Sequence, residues 1–384
     1  MADLSAPTCN NATRSPSPST EAIAKSTLYP KITNKSHELL RAIHKHYHFL
    51  DQPIPPSINF TGTVKLHGTH ADLLIFPNNR IVCQSRNRTE VTPEADNLGF
   101  ATFVSKIRPQ ILLLTARVTD RWRQLHPTSQ LDADAGTPMI LAGEWIGQGI
   151  QKGVAISQLS RRWVLCSLNI NGVWEPISDY ADIADEEVGL YNISRGGFFS
   201  LDLASTVEGA EDFMARARAH TEEVCKSCSF GRLLGAEGAG EGVVYAPAAD
   251  SPLPNESCFW LKVKGEDFMT FSRLPKAKLD NADAREKARL FAESVCTEPR
   301  LEQGWQYLAE MGIERSMMGL GAYLSWVVKD IAVEEKSEIE ELGVEKLWKG
   351  EVSRIAKEWY LRRLKEEETE DLCKEIDGLG IGAG

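Results

Sequence analysis

Between residues 60 and 264 the apolar residues come in short runs cut apart by glycine, proline and asparagine; beyond Pro275 they recur at helical spacing instead. The first pattern builds strands and tight turns, and the second builds amphipathic helices. The chain is therefore expected to be α+β, with antiparallel sheets and flanking helices followed by a small all-helical part.

The elements can be placed. Strands are expected at 60–65, 71–76, 80–85, 139–144, 163–170, 243–245 and 259–264, with Pro77-Asn78-Asn79 turning the second into the third. Helices are expected at 37–49, at 103–124 with a break or kink at Pro109, and at 210–225. Further helices follow at 282–295, 303–311, 323–333 and 344–365, with Leu347, Val352, Ile355 and Trp359 of the last on one buried stripe. Residues 132–138 read as a loop. The expected organisation is a disordered tail over 1–30, an α+β domain over 31–275 and a helical domain over 276–375.

Charge is divided along the chain. The net charge is -11, yet from Asp280 onward there are 24 acidic against 15 basic residues, leaving 30 against 28 ahead of it. The nearly neutral front can hold a local basic cleft, whereas the whole chain is not a generic polyanion binder. No apolar run approaches the ~20 residues that span a bilayer, and the first residues lack a secretory pattern. Eight cysteines without a framework spacing read as reduced thiols. An intracellular protein, cytoplasmic or nuclear and free of the membrane, is the expectation; nothing in the residues names a protein partner.

Five segments carry candidate chemistry. They are Thr63-Val-Lys-Leu-His-Gly-Thr, Gln84-Ser-Arg, the run from Gly143 to Lys152, Glu241-Gly-Val-Val, and Leu261-Lys-Val-Lys. Taken singly, each has an ordinary reading as a solvated strand end. Taken in order, they describe one site. Lys65 closes a strand ahead of His67-Gly68, where glycine permits a turn beside a ligand. An attacking lysine must be neutral, and neighbouring cations lower its pKa. Lys262 and Lys264 lie two apart on a strand and share a face. Glu144 and Glu241 stand at strand ends, where a carboxylate can hold a ribose hydroxyl or a divalent metal. Arg86 offers a planar fork for phosphate. Cys225-x-x-Cys228 near His220 is a weak zinc candidate. His44-x-His46-x-His48 sits in a helix, where that spacing does not converge.

This ordered set resembles the covalent nucleotidyltransferases, and within them the RNA ligase 2 family. That family carries Lys-x-His-Gly-Thr-Asn; here the text is Lys65-Leu-His67-Gly68-Thr69-His70. Gly143 to Lys152 is similar over its length, and Glu241-Gly242 with Lys262-x-Lys264 completes the set. The resemblance implies an adenylation-type nucleotidyltransferase domain and an ATP-dependent RNA ligase, as in RNA repair. It implies that Lys65 forms a phosphoramide with AMP, with Mg²⁺ or Mn²⁺ as cofactor beside ATP. His67 would act near the phosphates, Arg86 on nucleotide or RNA 5′-phosphate, Glu144 on the ribose and Glu241 on the metal. Lys262 and Lys264 would contact the α-phosphate, with Thr63 and Gly68 along the nucleotide. The partner would be RNA with 3′-hydroxyl and 5′-phosphate ends.

There are departures. His70 replaces an asparagine, Val64 a glutamate, Ala246-Pro247 a Lys-Pro, and Cys166 falls where an aromatic would stack on adenine, so that either Trp163, three residues earlier, swings in to stack or stacking is weak. They motivate an alternative: a relative that holds nucleotide and RNA ends but has lost sealing. A DNA ligase or a capping guanylyltransferase is disfavoured by His67 and by the helical C-terminal part.

Overall fold

The computed structural model describes residues 29–132, 137–268 and 282–378. Most of the expected tail, residues 133–136 of the expected loop and the expected boundary at Pro275 lie outside them.

Helix α1 (Ser36–Phe49) buries Leu39, Leu40, Ile43 and Tyr47, a helically spaced set. Pro53, Pro55 and Pro56 keep the chain from continuing it. Strand β1 (Ser57–Lys65) alternates, with Ile58, Phe60 and Val64 buried and Thr63 and Lys65 partly exposed. Short strands β2 (Thr69–His70), β3 (Asp72–Ile75) and β4 (Ile81–Gln84) follow. The expected single helix is two, α2 (Phe100–Lys106) and α3 (Arg108–Leu125). The chain breaks at Ile107, and Pro109 lies in the first turn of α3, where its missing N–H costs nothing.

Next come β5 (Met139–Ile146), β6 (Arg162–Ile170), β7 (Val173–Glu175), β8 (Leu190–Asn192) and β9 (Phe199–Ala204). Thr206 caps α4 (Val207–Lys226) by accepting from the Gly209 N–H. The short α5 (Ser229–Leu233) leads to β10 (Gly242–Pro247) and β11 (Leu261–Lys264). Among the described residues, five helices follow: α6 (Ala284–Val295), α7 (Glu298–Glu310), α8 (Leu320–Glu334), α9 (Lys336–Leu342) and α10 (Trp348–Gly378).

The strands form two sheets. One has the order β11-β10-β1-β9; the other runs β4-β3-β5-β6-β7, with β2 on β5 and β8 on β6. Every pairing is antiparallel except β6 with β8. One core lies between the first sheet, α1 and α4, and draws Ile146 and Val164 from the second sheet. A second lies between the other face of that sheet and α2 and α3. The C-terminal helices have their own core, built on Phe291, Trp305, Tyr323 and Tyr360. The expected stripe on the last helix needs one correction. Leu347 precedes α10 and is 40% exposed; Trp348, Val352, Ala356 and Trp359 form the buried stripe. Among the described residues, no helix is long and apolar enough to cross a membrane.

Candidate functional site

The register of the first sheet sets the site. β1 pairs with β10 so that Lys65 lies opposite Gly242, and β10 pairs with β11 so that Gly242 lies opposite Lys264. The next row toward the sheet interior is Thr63, Val244 and Lys262. Side chains in one row share a face, so three lysines converge on one patch. Glycine at 242 is required: a Cβ there would lie 2.0 Å from the Val263 carbonyl oxygen.

Glu241, just ahead of Gly242, is 2% exposed. Its Oε2 accepts from Lys65 Nζ at 2.7 Å, and Lys264 Nζ stands 2.8 Å from its Oε1. His67 Nδ1 lies 3.5 Å from the same Oε2. Glu144 reaches the site from β5, and its Oε1 accepts the Gly68 N–H at 3.0 Å. These groups, with Arg86, line one cleft of about 1260 Å³.

Burial and charge oppose one another here. Burial pushes the Glu241 carboxyl up, but Lys264 and Lys65 outweigh it and hold it well below the ordinary range. Burial pushes the Lys65 ammonium down, but Glu241 and Glu144 outweigh it and raise it. Lys264 goes the other way: burial, with Lys65 and Lys262 beside it, brings it down to about 8 despite Glu241. Burial lowers Lys262 against the pull of Glu334, and raises Glu144 against Lys65 and His70. Two ammonium groups on one carboxylate are thus inequivalent: Lys65 is shifted toward its charged form and Lys264 away from it.

The sequence readings fall out as follows. Thr63, Lys65, His67, Gly68, Arg86, Glu144, Glu241, Lys262 and Lys264 all line the cleft. Trp163 does not line it. Its side chain lies in the second core, fully buried, and its indole N–H donates to the Ala71 carbonyl at 2.7 Å. The ring fills the space over Gly143, where a Cβ would come within 2.4 Å of it. An aromatic buried this way cannot swing into the cleft without emptying the core, so the stacking expectation for Trp163 is corrected. Cys225 and Cys228 gather no metal set: among the described residues, no three His, Cys, Asp or Glu side chains converge as one. For a divalent cation, Glu241 offers one carboxylate already shared by two lysines. That suits a cation arriving with phosphate oxygens better than a resident ion in a protein cage.

Sequence reasoning missed the acidic contribution of the C-terminal helices. Glu334 Oε2 lies 3.5 Å from Lys262 Nζ, and Glu334 Oε1 3.0 Å from Lys31 Nζ. Arg86 donates to Asp330 at 3.3 Å. Glu310 accepts from Ser85 and Asn87. Asp330 and Glu334 lie one helical turn apart on α8 and so share a face. That face was readable; its partner surface, far away in sequence, was not. Also missed were Asp72, which is fully buried and 2.7 Å from His70 Nε2, and Tyr29 at the cleft wall.

No family model and no curated protein sequence matches the chain. Solved structures do. A Naegleria gruberi RNA ligase mutant with AMP and Mn is 13% identical, with a TM-score of 0.38, over 62% of this chain and 56% of that one. Another mutant of that ligase, with ATP and Mn, is 12% identical with a TM-score of 0.37. An archaeal ATP-dependent RNA ligase is 14% identical with a TM-score of 0.36, over 93% of this chain and 75% of that one. The match thus spans little more than half the length of the Naegleria chains.

Proposed function

We propose that the chain is an ATP-dependent RNA ligase that joins 3′-hydroxyl and 5′-phosphate ends through AMP carried on Lys65. The observation that supports this most is the convergence of Lys65 and Lys264 on Glu241, with Lys262 and Glu144 in the same cleft. A structural ion pair needs one cation. Three lysines beside one buried and one half-buried carboxylate make a site for a ligand that brings several negative charges and a sugar.

The chemistry follows from the charges. Lys262 and Lys264 are placed to hold nucleotide phosphates. Lys65 is held protonated by Glu241 in the resting state, so it cannot attack until that carboxylate is drawn aside. Once it is, burial and the nearby Lys264 favour the neutral amine. Glu241 would hold a divalent cation that arrives with the nucleotide, and the cation would screen charge on the polyphosphate. Lys65 Nζ then bonds to the α-phosphorus as the bond to pyrophosphate breaks. An RNA 5′-phosphate oxygen next takes the AMP, releasing the Lys65 amine. A 3′-hydroxyl attacks the 5′-phosphorus, AMP departs, and a phosphodiester is formed. The protein's part is positioning and electrostatic stabilisation. Glu144 is placed for the ribose, and Arg86 for a phosphate once it leaves Asp330.

The test uses α-labelled ATP with Mg²⁺ or Mn²⁺, followed by a chase with nicked RNA. Acid-labile label on the wild-type chain, absent from Lys65→Ala and discharged on sealing, supports the proposal. Label that forms but never leaves on RNA favours the relative that has lost sealing. ATP bound without any covalent label contradicts the lysyl-AMP step.

A further inference from the structure

The C-terminal helices meet the sheet domain across a polar seam. Among the described residues, no buried cluster of apolar side chains spans both parts; the core of the helices is their own. What crosses is charged or amide. Lys31 Nζ lies 3.0 Å from one oxygen of Glu334, and Lys262 Nζ 3.5 Å from the other. Arg86 donates to Asp330 at 3.3 Å, Glu310 accepts from Ser85 and Asn87, and Lys35 pairs with Glu338. Gln151 and Gln306 exchange amide hydrogen bonds at 3.0 and 3.1 Å. A seam held this way is reversible and weakened by salt, whereas a large apolar one fixes two domains together.

The seam runs along the cleft. Lys31, Arg86 and Lys262 line the cleft from the sheet domain, and Glu310, Asp330 and Glu334 line it from the helices. In these ion pairs the cation always belongs to the sheet domain and the carboxylate to the helices. The acidic face is set by the helices themselves. Asp330 Oδ2 lies 3.2 Å from Nε of Arg300, which is fully buried and also donates to Glu335 at 2.6 Å. That contact leaves the other oxygen of Asp330 for Arg86. Burial pushes the Glu334 carboxyl up, but Lys262 and Lys31 outweigh it and hold it at about 2, so it is ionised at neutral pH. Carboxylates thus stand on the cations that phosphate needs, and one cation cannot fully serve both.

We propose that the helical domain is an acidic cover: in the free chain Glu310, Asp330 and Glu334 occupy the polar and cationic rim of the cleft, and the phosphates of an RNA backbone gain that rim by displacing them. This rests on the reading of the cleft as an RNA-joining site and adds how entry to it is controlled. RNA presents many phosphates at once, so it competes with the cover on several cations together. The cover lowers the apparent affinity for RNA by the fraction of chains in which it is open.

The experiment has two readouts on the full chain, both with a nicked RNA duplex that carries a 5′-hydroxyl at the nick and so cannot be joined. The first is equilibrium binding by wild type, E310Q/E334Q and E340Q/E341Q. The last pair removes the same charge from α9 at residues that do not line the cleft, and thermal melts confirm that each variant is folded. E310Q/E334Q is expected to bind RNA about tenfold more tightly if the cover is closed in about nine chains of ten, with E340Q/E341Q within about twofold of wild type. The second is cross-linking by a water-soluble carbodiimide, which joins an amine to a carboxylate in direct contact. Mass spectrometry should find the Lys31–Glu334 or Lys35–Glu338 link in the free chain and its loss at saturating RNA. A link that persists at saturating RNA, or that never forms in the free chain, would overturn the proposal. So would RNA affinity unchanged or weakened in E310Q/E334Q, an equal gain in E340Q/E341Q, or no RNA binding by any of the three. Because neither readout needs nucleotide or sealing, a chain that forms no lysyl-AMP would refute the ligase chemistry and leave the cover result standing.

Discussion

The charge state of Lys264 makes the sharpest prediction. Its ammonium is brought down to about 8 by burial and by Lys65 and Lys262. A group titrating there is about 90% charged at pH 7 and about 10% charged at pH 9. If the charged form is what holds phosphate, and a bound polyphosphate keeps it charged, linkage requires affinity to fall about tenfold between those pH values. That is about 1.4 kcal/mol. The assay is equilibrium binding of the α,β-methylene analogue of ATP, which cannot release pyrophosphate, so that Lys65 chemistry does not intrude. Lys264→Arg supplies a cation that stays charged throughout, and the decline should flatten in that variant. Burial also lowers Lys262, so any residual slope should vanish in the Lys262→Arg, Lys264→Arg double variant. Wild-type affinity flat within about twofold from pH 7 to 9 would refute the assignment. So would a decline that persists in the double variant.

Three further predictions follow from named contacts. Glu334→Gln removes the carboxylate beside Lys262 and Lys31, so ATP should bind several-fold more tightly at low salt; unchanged or weaker binding by calorimetry would show that α8 does not compete with phosphate. Trp163→Ala empties a fully buried site and should cost about 3–5 kcal/mol in urea unfolding, with nucleotide affinity of the folded protein little changed; a large loss of ATP binding in the folded state would restore Trp163 as a base contact. Glu241 has a depressed pKa in the fold, so its contribution to stability is present above the unfolded value near 4.5 and is lost as pH falls below it. In Glu241→Gln the acid limb of a thermal-stability profile should be shallower than in wild type, and superimposable profiles would contradict this.

Much of the site was legible because its signals are local. Lys65 ends an alternating strand, Lys262 and Lys264 share a face by period two, and Glu241-Gly242 opens an apolar strand. The register that joins them was not legible, because nothing within β1 states that Lys65 pairs with Gly242 rather than with a neighbour. Helices α1, α4 and α6 were close to their expected bounds, since each carries a clear apolar stripe. Strand β9 was missed although Leu201 and Leu203 alternate inward, because it is short and flanked by glycine and serine. Trp163 was misjudged for a different reason. A tryptophan near a motif is ambiguous in sequence, and only the close approach of Gly143 shows which side of the sheet claims it. Tyr29 carried no pattern at all; its place depends on Thr33 reaching β11.

The nucleophile itself can be read most directly by peptide mass spectrometry of the full chain after incubation with ATP and a divalent cation. An AMP mass increment on the peptide containing Lys65, located at that side chain by fragmentation, is the predicted result. An increment on Lys262, on Lys264 or on no residue, from protein that binds ATP, would contradict the account.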